Sequence, residues 1–271
     1  MSENNDNGES NLAGTVIKAL DIVDCLAERR MPMSTQEIAK AVGMSRPTTY
    51  RLLMTLMSRG YVRDTGNFRF LLGTKLLTLS RLVLDQLDVL EVARPYLSEL
   101  SRVSNETANL SILDDGELLY IGKEESRREI PMAVQLRSTV GTRIAVHSSA
   151  MGKAMLAFLP PESLQTYLDR MVPLKRYTAH TITDPEVLLR ELEDVRVKGY
   201  AIDEREVDEG TRCVGAPVFD SSGQVAAAMS IAGPAYRLTL DSLHQFAGEV
   251  IRVTRDLSRE LGYVPHSQPR A

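Results

Sequence analysis

Two closely spaced helix-start signals constrain the N-terminal part of this chain more than any other feature. Ser34 precedes an apolar run and has Glu37 three residues later, the capping-box pattern, and Gly43 ends that run. Ser45 precedes the next helix, and Pro47 stands in its first turn, where a missing amide hydrogen costs nothing. Two helices joined by so short a turn predict a helix-turn-helix unit.

A third helix is expected to complete this unit. Residues 15–29 have apolar side chains at helical spacing, which we expect to form a buried face: Val16, Ile17, Leu20, Val23, Leu26 and Ala27. In the helix that follows Ser45, the residues expected to face the same core are Tyr50, Leu53, Leu56 and Met57. This arrangement leaves the front of that helix free for another role.

Hydroxyl and guanidinium groups cluster at this free front, namely Ser45, Arg46, Thr48, Thr49 and Arg51. In a recognition helix, the N-terminal residues meet base edges, while hydroxyls and amides at helix starts hold phosphates. Arg46 suits a guanine edge, and Thr48 or Thr49 suits a thymine methyl group or a phosphate. We assign Ser34 and Thr35, at the start of the preceding helix, to the same surface. The alternative for Ser45 is that it only caps its helix.

A β-hairpin is predicted directly after the recognition helix. Strands over 61–63 and 68–71 flank a turn at 65–67, and Arg63 and Arg69 could bind the phosphate backbone from this wing. Residues 15–80 hold ten Lys and Arg against five Asp and Glu, although the whole chain has a net charge of −4. The order of elements and the local charge together predict double-stranded DNA as a partner.

The rest of the chain divides by composition. Residues 1–14 are polar and acidic and are expected to be a disordered tail, followed by the winged helix-turn-helix domain at 15–73. A leucine-rich linker helix is predicted from Gly73 to Leu90, and we assign residues 74–90 to it as a domain segment. Its apolar face could cover a domain junction or pair with a second chain. Residues 91–263 form a further domain, and 264–271 a second tail.

The large C-terminal domain is predicted to be α+β with an antiparallel sheet. A second helix at 91–104 leads into a hairpin that turns at Asp114-Asp115-Gly116. The other predicted strands are "MAVQL", "TRIAVHS", "YAIDERE", "RCVGAPVFD" and "VAAAMSIAG", the last two joined at Ser221-Ser222-Gly223. The other predicted helices are "SSAMGKAMLAFL" with a cap at Ser148 or Ser149, "PPESLQTYLDRM", "DPEVLLRELEDVRVKG" capped by Asp184, and a final helix from about Leu240 to Leu261.

No motif for catalysis, a metal or a cofactor is found in the sequence. Cys213 is the candidate nucleophile and His147, His180 and His244 are candidate bases, but none lies at motif spacing from the cysteine. We therefore expect no enzyme activity. The alternative for Cys213 is that it is a small, buried residue of a strand with no chemical role. With two cysteines, no bilayer-spanning apolar run and no signal peptide, we expect a cytoplasmic protein without a membrane partner.

A small-molecule site is the remaining possibility for this domain. Asp203, Cys213 and Ser230 fall on three predicted strands, and residues 150–152 begin a helix whose free amides would suit a carboxylate. The alternative is that these scattered polar side chains point to water.

Four stretches resemble the IclR type of bacterial transcriptional regulator: "VIKALDIVDCL", "STQEIAKAVGMSRPTTYRLLMTLMSRGYV", "GTRIAVHSSAMGKAMLA" and "GYAIDEREVDEGTRCVGAPVFDSSGQVAAAMSIAGP". The resemblance runs from about Val16 to Tyr263. It implies a winged helix-turn-helix, a linker helix and a GAF-like effector domain, in homodimers or homotetramers. It also implies a regulator, often a repressor, of a catabolic operon, bound to a palindromic operator and controlled by a small carboxylic acid.

The resemblance also implies an effector-binding set, which in this sequence is Ala150, Met151, Gly152, Asp203, Cys213, Ser230 and Ala232. Ala232 stands where the family members that bind small keto acids have a second serine. Arg205 replaces an acidic residue, and Met151 is bulkier than the small residue found at its position in those members. These departures favour a larger sugar acid or aromatic acid at least as much as a glyoxylate- or pyruvate-like ligand. Two rival functions remain at this point: an architectural DNA-binding protein whose large domain only oligomerises, and an enzyme that uses Cys213.

Overall fold

The structure, a computed structural model, describes residues 13–29, 31–85, 88–126 and 138–264. The chain divides into two compact units, Met1–Gln86 and Leu87–Ala271. Both units mix helices with antiparallel strands, as the predicted α+β class requires. The predicted strand "MAVQL", residues 1–12 of the first tail and residues 265–271 of the second lie outside the described residues. No helix in the described ranges is long and apolar enough to cross a membrane.

The first unit contains the predicted helix-turn-helix and wing. Its elements are α1 (Gly14–Arg29), β1 (Met33–Ser34), α2 (Thr35–Ala41), α3 (Arg46–Ser58), β2 (Val62–Asp64), β3 (Arg69–Leu72) and α4 (Lys75–Asp85). The strands pair antiparallel in the order β1-β3-β2. Each predicted wing strand is shifted by one residue, and the short strand β1 adds a third member because Met33 pairs with Phe70.

The core of this unit uses a different face of α1 from the one predicted. Ile22, Cys25 and Leu26 are buried, whereas Val16, Ile17 and Leu20 are exposed. The prediction was wrong for these three residues because the helical spacing of the apolar residues extends beyond the part of α1 that meets α2 and α3. It was also wrong for Ala27, which is exposed near the end of α1. The N-terminal half of α1 therefore leaves an apolar surface uncovered by the described residues of this chain.

The buried face of α3 also differs from the predicted one. Tyr50 is 47% exposed and Met57 is 37% exposed, so the prediction that they face the core was wrong. Thr49 and Leu52 are buried in their place beside Leu53. Leu53 is buried as predicted, and Leu56 packs partly buried against the same core, so two of the four predicted positions are confirmed and the buried face extends toward Thr49 and Leu52.

The predicted linker segment is helical on both sides of residues 86–87, which lie outside the described residues. Helix α4 ends at Asp85, and a second helix, α5 (Asp88–Ser104), begins before the predicted end at Leu90. Within α4, Leu77 and Leu82 are exposed. Pro95 lies inside α5 and not in its first turn.

The second unit contains α5 and the rest of the elements: β4 (Thr107–Asp114), β5 (Glu117–Glu124), β6 (Arg143–Ile144), α6 (Ala150–Leu156), α7 (Pro161–Met171), α8 (Pro185–Lys198), β7 (Ala201–Glu204), β8 (Thr211–Phe219), β9 (Val225–Pro234) and α9 (Leu240–Glu260). The six strands form one antiparallel sheet in the order β6-β5-β4-β9-β8-β7.

Most local predictions for this unit are confirmed. The hairpins turn where expected, and Asp184 caps α8. Ser149 is the cap of α6, since its hydroxyl accepts a hydrogen bond from Gly152 N. The strand predicted over "TRIAVHS" is confirmed only at Arg143–Ile144.

Two glycines position the start of α6, one against the sheet and one against the turn that precedes the helix. A side chain at Gly215, on β8, would begin 3.1 Å from the Met151 amide nitrogen. A side chain at Gly152 would begin 2.0 Å from the Val146 carbonyl oxygen, a distance that no side chain could occupy. The start of α6 and strand β8 therefore meet backbone to backbone.

Candidate DNA interface and effector cavity

The start of α3 is organised by hydroxyl groups. The Ser45 hydroxyl accepts a hydrogen bond from Thr48 N at 3.4 Å, and the Ser45 and Thr48 hydroxyls lie 2.9 Å apart. Ser45 is exposed and Thr48 is half-buried. These two hydroxyls thus stabilise the helix start and remain accessible at its front, so the capping role and a contact role are compatible at this position.

Two threonines predicted to contact DNA are buried instead. Thr49 is 0% exposed, and its hydroxyl donates to the Ser45 carbonyl oxygen at 3.0 Å. Thr35 is also buried, beneath the start of α2. The expectation that both are exposed was wrong, since each side chain points into the core of the unit. At the start of α2, Ser34 completes the predicted capping box with Glu37.

Three arginines remain as exposed positive charges on α3 and the wing. Arg46 stands in the first turn of α3, Arg51 lies further along the helix, and Arg63 lies on β2. In the described ranges, none of the three forms an ion pair. Their guanidinium groups are therefore available to an anionic partner such as a phosphate backbone.

Arg69 differs from these three because it is held within the unit. Its Nε donates to the Pro32 carbonyl oxygen at 3.1 Å, and its guanidinium forms an ion pair with Glu37 at 3.2 Å. Hydrogen bonds from Ser34, the backbone amide first, lower the pKa of Glu37, with Arg69 as a smaller cause. Arg69 thus ties β3 to the start of α2, and the prediction that it is free for phosphate does not match this geometry.

The second unit contains a partly open cavity of about 40 Å³. Six of the seven predicted effector-binding residues line it: Ala150, Met151, Asp203, Cys213, Ser230 and Ala232. The sheet register explains this meeting, because Asp203 pairs with Cys213 and Cys213 pairs with Ala232. Cross-strand partners share one face of a sheet, so these three side chains face α6 together.

Gly152 is the predicted residue that does not line the cavity. Its amide donates to the Ser149 hydroxyl at 3.0 Å, so it is not free to hold a carboxylate. The role of Gly152 here is steric, because only glycine fits so close to Val146. Predicting a contact for the whole segment 150–152 was therefore wrong at its last position.

Asp203 is a buried carboxyl with an altered protonation equilibrium. Burial, and next the charge of Glu206, raise the pKa of Asp203 to about 7, although the amides of Glu206 and Val207 act in the opposite direction. Its Oδ1 accepts a hydrogen bond from Glu206 N at 2.6 Å. The side chain is thus fixed in orientation and close to half-protonated near neutral pH.

A buried ion pair lies behind Asp203. Lys153 on α6 contacts Glu206 in a very short ion pair and Glu191 on α8 at 3.4 Å. The Lys153 and Glu206 side chains are only 2% and 5% exposed, respectively. Burial raises the pKa of Glu206, and the Lys153 charge opposes that effect. The pair connects α6 to the turn that follows β7.

This turn is strained and firmly held. Arg205 has a φ of +60°, in the left-handed region that non-glycine residues rarely adopt. The hydroxyls of Thr178 and Thr181 donate to the carbonyl oxygens of Arg205 and Glu206, both at 2.8 Å. The backbone that orients Asp203 is therefore fixed from both sides.

Cys213 does not have the surroundings of a nucleophile. Burial raises the pKa of its thiol well above the usual value, and the Asp203 charge adds to the effect. Reactive cysteines require a lowered pKa and a nearby base. No histidine lines the cavity in the described ranges; His147 lies near the Lys175 carbonyl oxygen and His244 near the Tyr200 hydroxyl. The described residues also include no group of side chains suited to a metal ion.

Sequence reasoning missed seven further residues of the cavity wall: Tyr120, Ser138, Ile144, Ser149, Val207, Asp208 and Thr211. Several lie far along the chain from the predicted set. Of these seven, only Ser149 was singled out in the sequence, where it was predicted to cap α6 and not to contact a ligand. Val207, Asp208 and Thr211 lie between the predicted residues Asp203 and Cys213 in the chain, whereas Tyr120, Ser138 and Ile144 come from the other edge of the sheet and its adjoining loop, which the sequence does not reveal.

Family comparisons agree with this two-unit arrangement. A profile described as the IclR helix-turn-helix domain matches residues 15–66. A second, described as the bacterial transcriptional regulator IclR C-terminal domain, matches residues 81–259. The chain belongs to the IclR family. It is therefore a DNA-binding transcriptional regulator, and its relatives are regulators and not enzymes.

Individual IclR relatives resemble the chain over nearly its full length. The HTH-type transcriptional regulator KdgR of Dickeya chrysanthemi is 36% identical over 256 residues, which is 94% of this chain and 81% of that protein. The HTH-type transcriptional repressor AllR of Salmonella paratyphi A is 34% identical over 234 residues, or 86% and 84% of the two chains. The crystal structure of Thermotoga maritima IclR matches with a TM-score of 0.76 at 35% identity, and the match covers 92% of this chain and 99% of that one.

Proposed function

We propose that this IclR-family protein is a cytoplasmic repressor of a catabolic operon that responds to a small carboxylic acid. The observation that carries the ligand response is the cavity, because six residues expected to bind an effector line it together. An oligomerisation domain would have no use for a cavity whose wall includes a buried carboxyl group.

The DNA-binding surface that we propose consists of Arg46, Arg51, Ser45 and Thr48 on α3 and its cap, with Arg63 on the wing. Arg46 is placed to read a base edge, since the first turn of a recognition helix enters the major groove. Ser34, at the start of α2, and Arg63 on β2 would contact the phosphate backbone. Arg69, which is bound to Glu37, contributes by fixing the wing.

We propose that the protein binds a palindromic operator as a homodimer, or as a homotetramer built from dimers. The exposed apolar residues of α1 and α4, which include Leu20 and Leu77, support a partner chain at the first unit. A twofold dimer presents two recognition helices to two half-sites, which is what a palindrome requires.

In this proposal the effector acts by binding the two states of the regulator unequally. Only a difference in affinity between the DNA-bound and free states can move the equilibrium between them. The fixed turn at Arg205 and the Lys153–Glu206 pair connect the cavity wall to α6 and α8, so an occupied cavity would change the packing of that layer.

The test uses the full chain and DNA from promoters of its own genome. Binding is measured by fluorescence anisotropy against promoter fragments and against random duplex of equal length. A thermal-shift screen of organic, sugar and aromatic acids then supplies ligands for the same binding assay. We expect one promoter to bind at least tenfold more tightly than random duplex, and an acid to weaken that binding.

Two results would contradict the proposal in different ways. Equal affinity for every duplex would remove the operator-specific function. Specific binding that no acid alters, together with no thermal shift, would favour the architectural alternative, in which the large unit only joins subunits.

A further inference from the structure

The wall of the effector cavity comes from two distant parts of the sheet. Asp203 lies on β7 at one edge, and Tyr120 and Ile144 lie on β5 and β6 at the other. Four strand spacings separate β5 from β7, a distance of about 19 Å in a flat sheet. Because both edges line one small cavity, the sheet curls around it. A ligand that fills the cavity therefore meets two different surfaces.

Ser138 provides a polar group in the cavity wall, on the segment that adjoins β5 and not on β7 with Asp203. Its residue is only 5% exposed and lines the cavity, yet its hydroxyl has no hydrogen-bond partner in the part of the chain that the structure describes. A buried hydroxyl without a partner is unfavourable, because it has lost its hydrogen bonds to water. A ligand that supplies the partner recovers this energy.

The backbone after Ser138 is anchored to the sheet. Gly141 N donates to the Tyr120 carbonyl oxygen at 2.8 Å, and Tyr120 N donates to the Thr142 carbonyl oxygen at 3.0 Å. Thr142 N closes the turn by donating to the Thr139 carbonyl oxygen at 2.9 Å. Ser138 is thus carried by a segment tied to β5, which gives its hydroxyl a defined place in the wall.

The size of the cavity limits what can occupy it. About 40 Å³ is available, and one water molecule requires about 10 to 15 Å³ on the same measure. Because bonded atoms overlap, the space of three or four waters suits an acid of three or four carbons. The cavity therefore favours a compact acid over the larger sugar acid or aromatic acid that Met151 and Ala232 suggested in the sequence.

We infer that the effector is a compact hydroxy acid, and that Ser138 selects it by a hydrogen bond to a hydroxyl group at the end of the ligand away from Asp203. This inference rests on the proposed function, since it assumes that the cavity binds the effector. It adds a specificity-determining residue outside the predicted set, and it excludes plain aliphatic acids of the same length.

The experiment uses purified full-length protein and acids that differ by single hydroxyl groups. The three-carbon probes are propionate, lactate, 3-hydroxypropionate and glycerate, which vary the C2 and C3 hydroxyls independently. Threonate and 2,3-dihydroxybutyrate form a four-carbon pair that differs only at C4. Affinities are measured by isothermal titration calorimetry on wild type, Ser138→Ala and Ser148→Ala.

Ser148 provides a matched control. It is a buried serine whose hydroxyl also has no partner in the described ranges, but it does not line the cavity. Ser148→Ala therefore reproduces the loss of a buried hydroxyl without changing the cavity wall. Melting temperatures of both variants show whether either one fails to fold.

We expect wild type and Ser148→Ala to prefer the acid with the terminal hydroxyl by roughly two- to tenfold in at least one matched pair, the range for one net hydrogen bond. In Ser138→Ala, that preference should shrink to about twofold or less, while the effect of the C2 hydroxyl persists. A preference that survives in Ser138→Ala, or that is absent from wild type, overturns the inference.

The two levels of the proposal fail separately. If a larger acid releases the operator and no three- or four-carbon acid binds, the compact hydroxy acid is excluded and the regulator stands. If no acid of any class binds, the ligand response itself fails. If Ser138→Ala unfolds and Ser148→Ala does not, the same titrations are carried out on Ser138→Gly and Ser138→Cys. We expect these variants to lose the preference for the acid with the terminal hydroxyl.

Discussion

The two units of this regulator differ in whether their key charged side chains are exposed or buried. The DNA-binding unit keeps Arg46, Arg51 and Arg63 exposed, with no ion pair in the described ranges. The effector unit buries Lys153 against Glu206 and places Asp203 in a cavity wall. Exposed charges are screened by salt, whereas buried charges depend on solvation and on proton binding. We therefore expect salt to control the first unit and pH to affect the second.

The largest effect is expected from breaking the buried ion pair. Lys153→Met leaves Glu206 buried without its partner, which should lower the free energy of unfolding by about 3 to 5 kcal/mol. Urea denaturation followed by circular dichroism measures this loss. Lys198→Met is the matched control, because Lys198 pairs with Asp194 at 3.0 Å on the surface of α8; exposed pairs of this kind contribute about 0.5 kcal/mol or less. Similar losses in both variants would remove the distinction between the units.

The next effect concerns the pH dependence of Asp203. Its pKa is raised from an ordinary value of 3.8 to about 7, so the folded state retains a proton that the unfolded state releases. The contribution of Asp203 to stability is thus complete below about pH 4 and is lost as pH rises through 7. At about 1.4 kcal/mol per pKa unit, the loss reaches on the order of 4 kcal/mol.

Asp203→Asn removes this ionisation and keeps the oxygen that accepts the hydrogen bond from Glu206 N. The stability of the variant relative to wild type should therefore increase between pH 5 and pH 8, as measured by urea midpoints. Glu206, whose pKa is also raised, is present in both proteins, and because its charge acts on Asp203, the difference reports the titration of Asp203 together with that coupling. A difference that does not change with pH would show that Asp203 stays ionised throughout.

A third prediction tests base reading by the exposed surface. Arg46→Ala should weaken operator binding by about 1 to 3 kcal/mol and relax the preference at one base pair. Selection from a randomised operator library, followed by sequencing, measures both effects. Unchanged preference with weaker binding would assign Arg46 to a phosphate instead.

The smallest effect is expected for Arg63 on the wing. Arg63→Ala should weaken all sequences alike and lower the slope of log affinity against log salt by about 1. Arg69→Ala is its counterpart on the same hairpin, and it should mainly reduce the stability of the unit, by about 1 kcal/mol or less. Equal changes of the salt slope in both variants would mean that Arg69 leaves Glu37 when DNA binds.

The sequence predicted features that depend on local chemistry. Helix caps at Ser34, Ser45 and Asp184 were confirmed because each bonds an amide two or three residues away. Hairpin turns were predicted for the same reason. Six residues of the cavity wall were also found, but through family resemblance and not through periodicity.

Features that depend on distant contacts were not predictable. Two positions of the buried face of α3, Tyr50 and Met57, were misassigned, because the orientation of that face depends on where α1 and α2 pack and not only on which residues are apolar. The pairing of Arg69 with Glu37 joins residues that are far apart in the chain. Ser138 reaches the cavity only because the sheet curls, and a serine in a loop gives no sign of that position.

The contact between α6 and β8 has a consequence for protein engineering. Since Gly215 places no side chain between β8 and the start of α6, the shape of that contact follows the path of the main chain and cannot be adjusted by substitution there. New ligand preferences would have to be introduced at positions where a side chain already borders the open space, such as Met151 and Ala232. A biosensor library directed at those positions would leave the operator-reading surface unchanged.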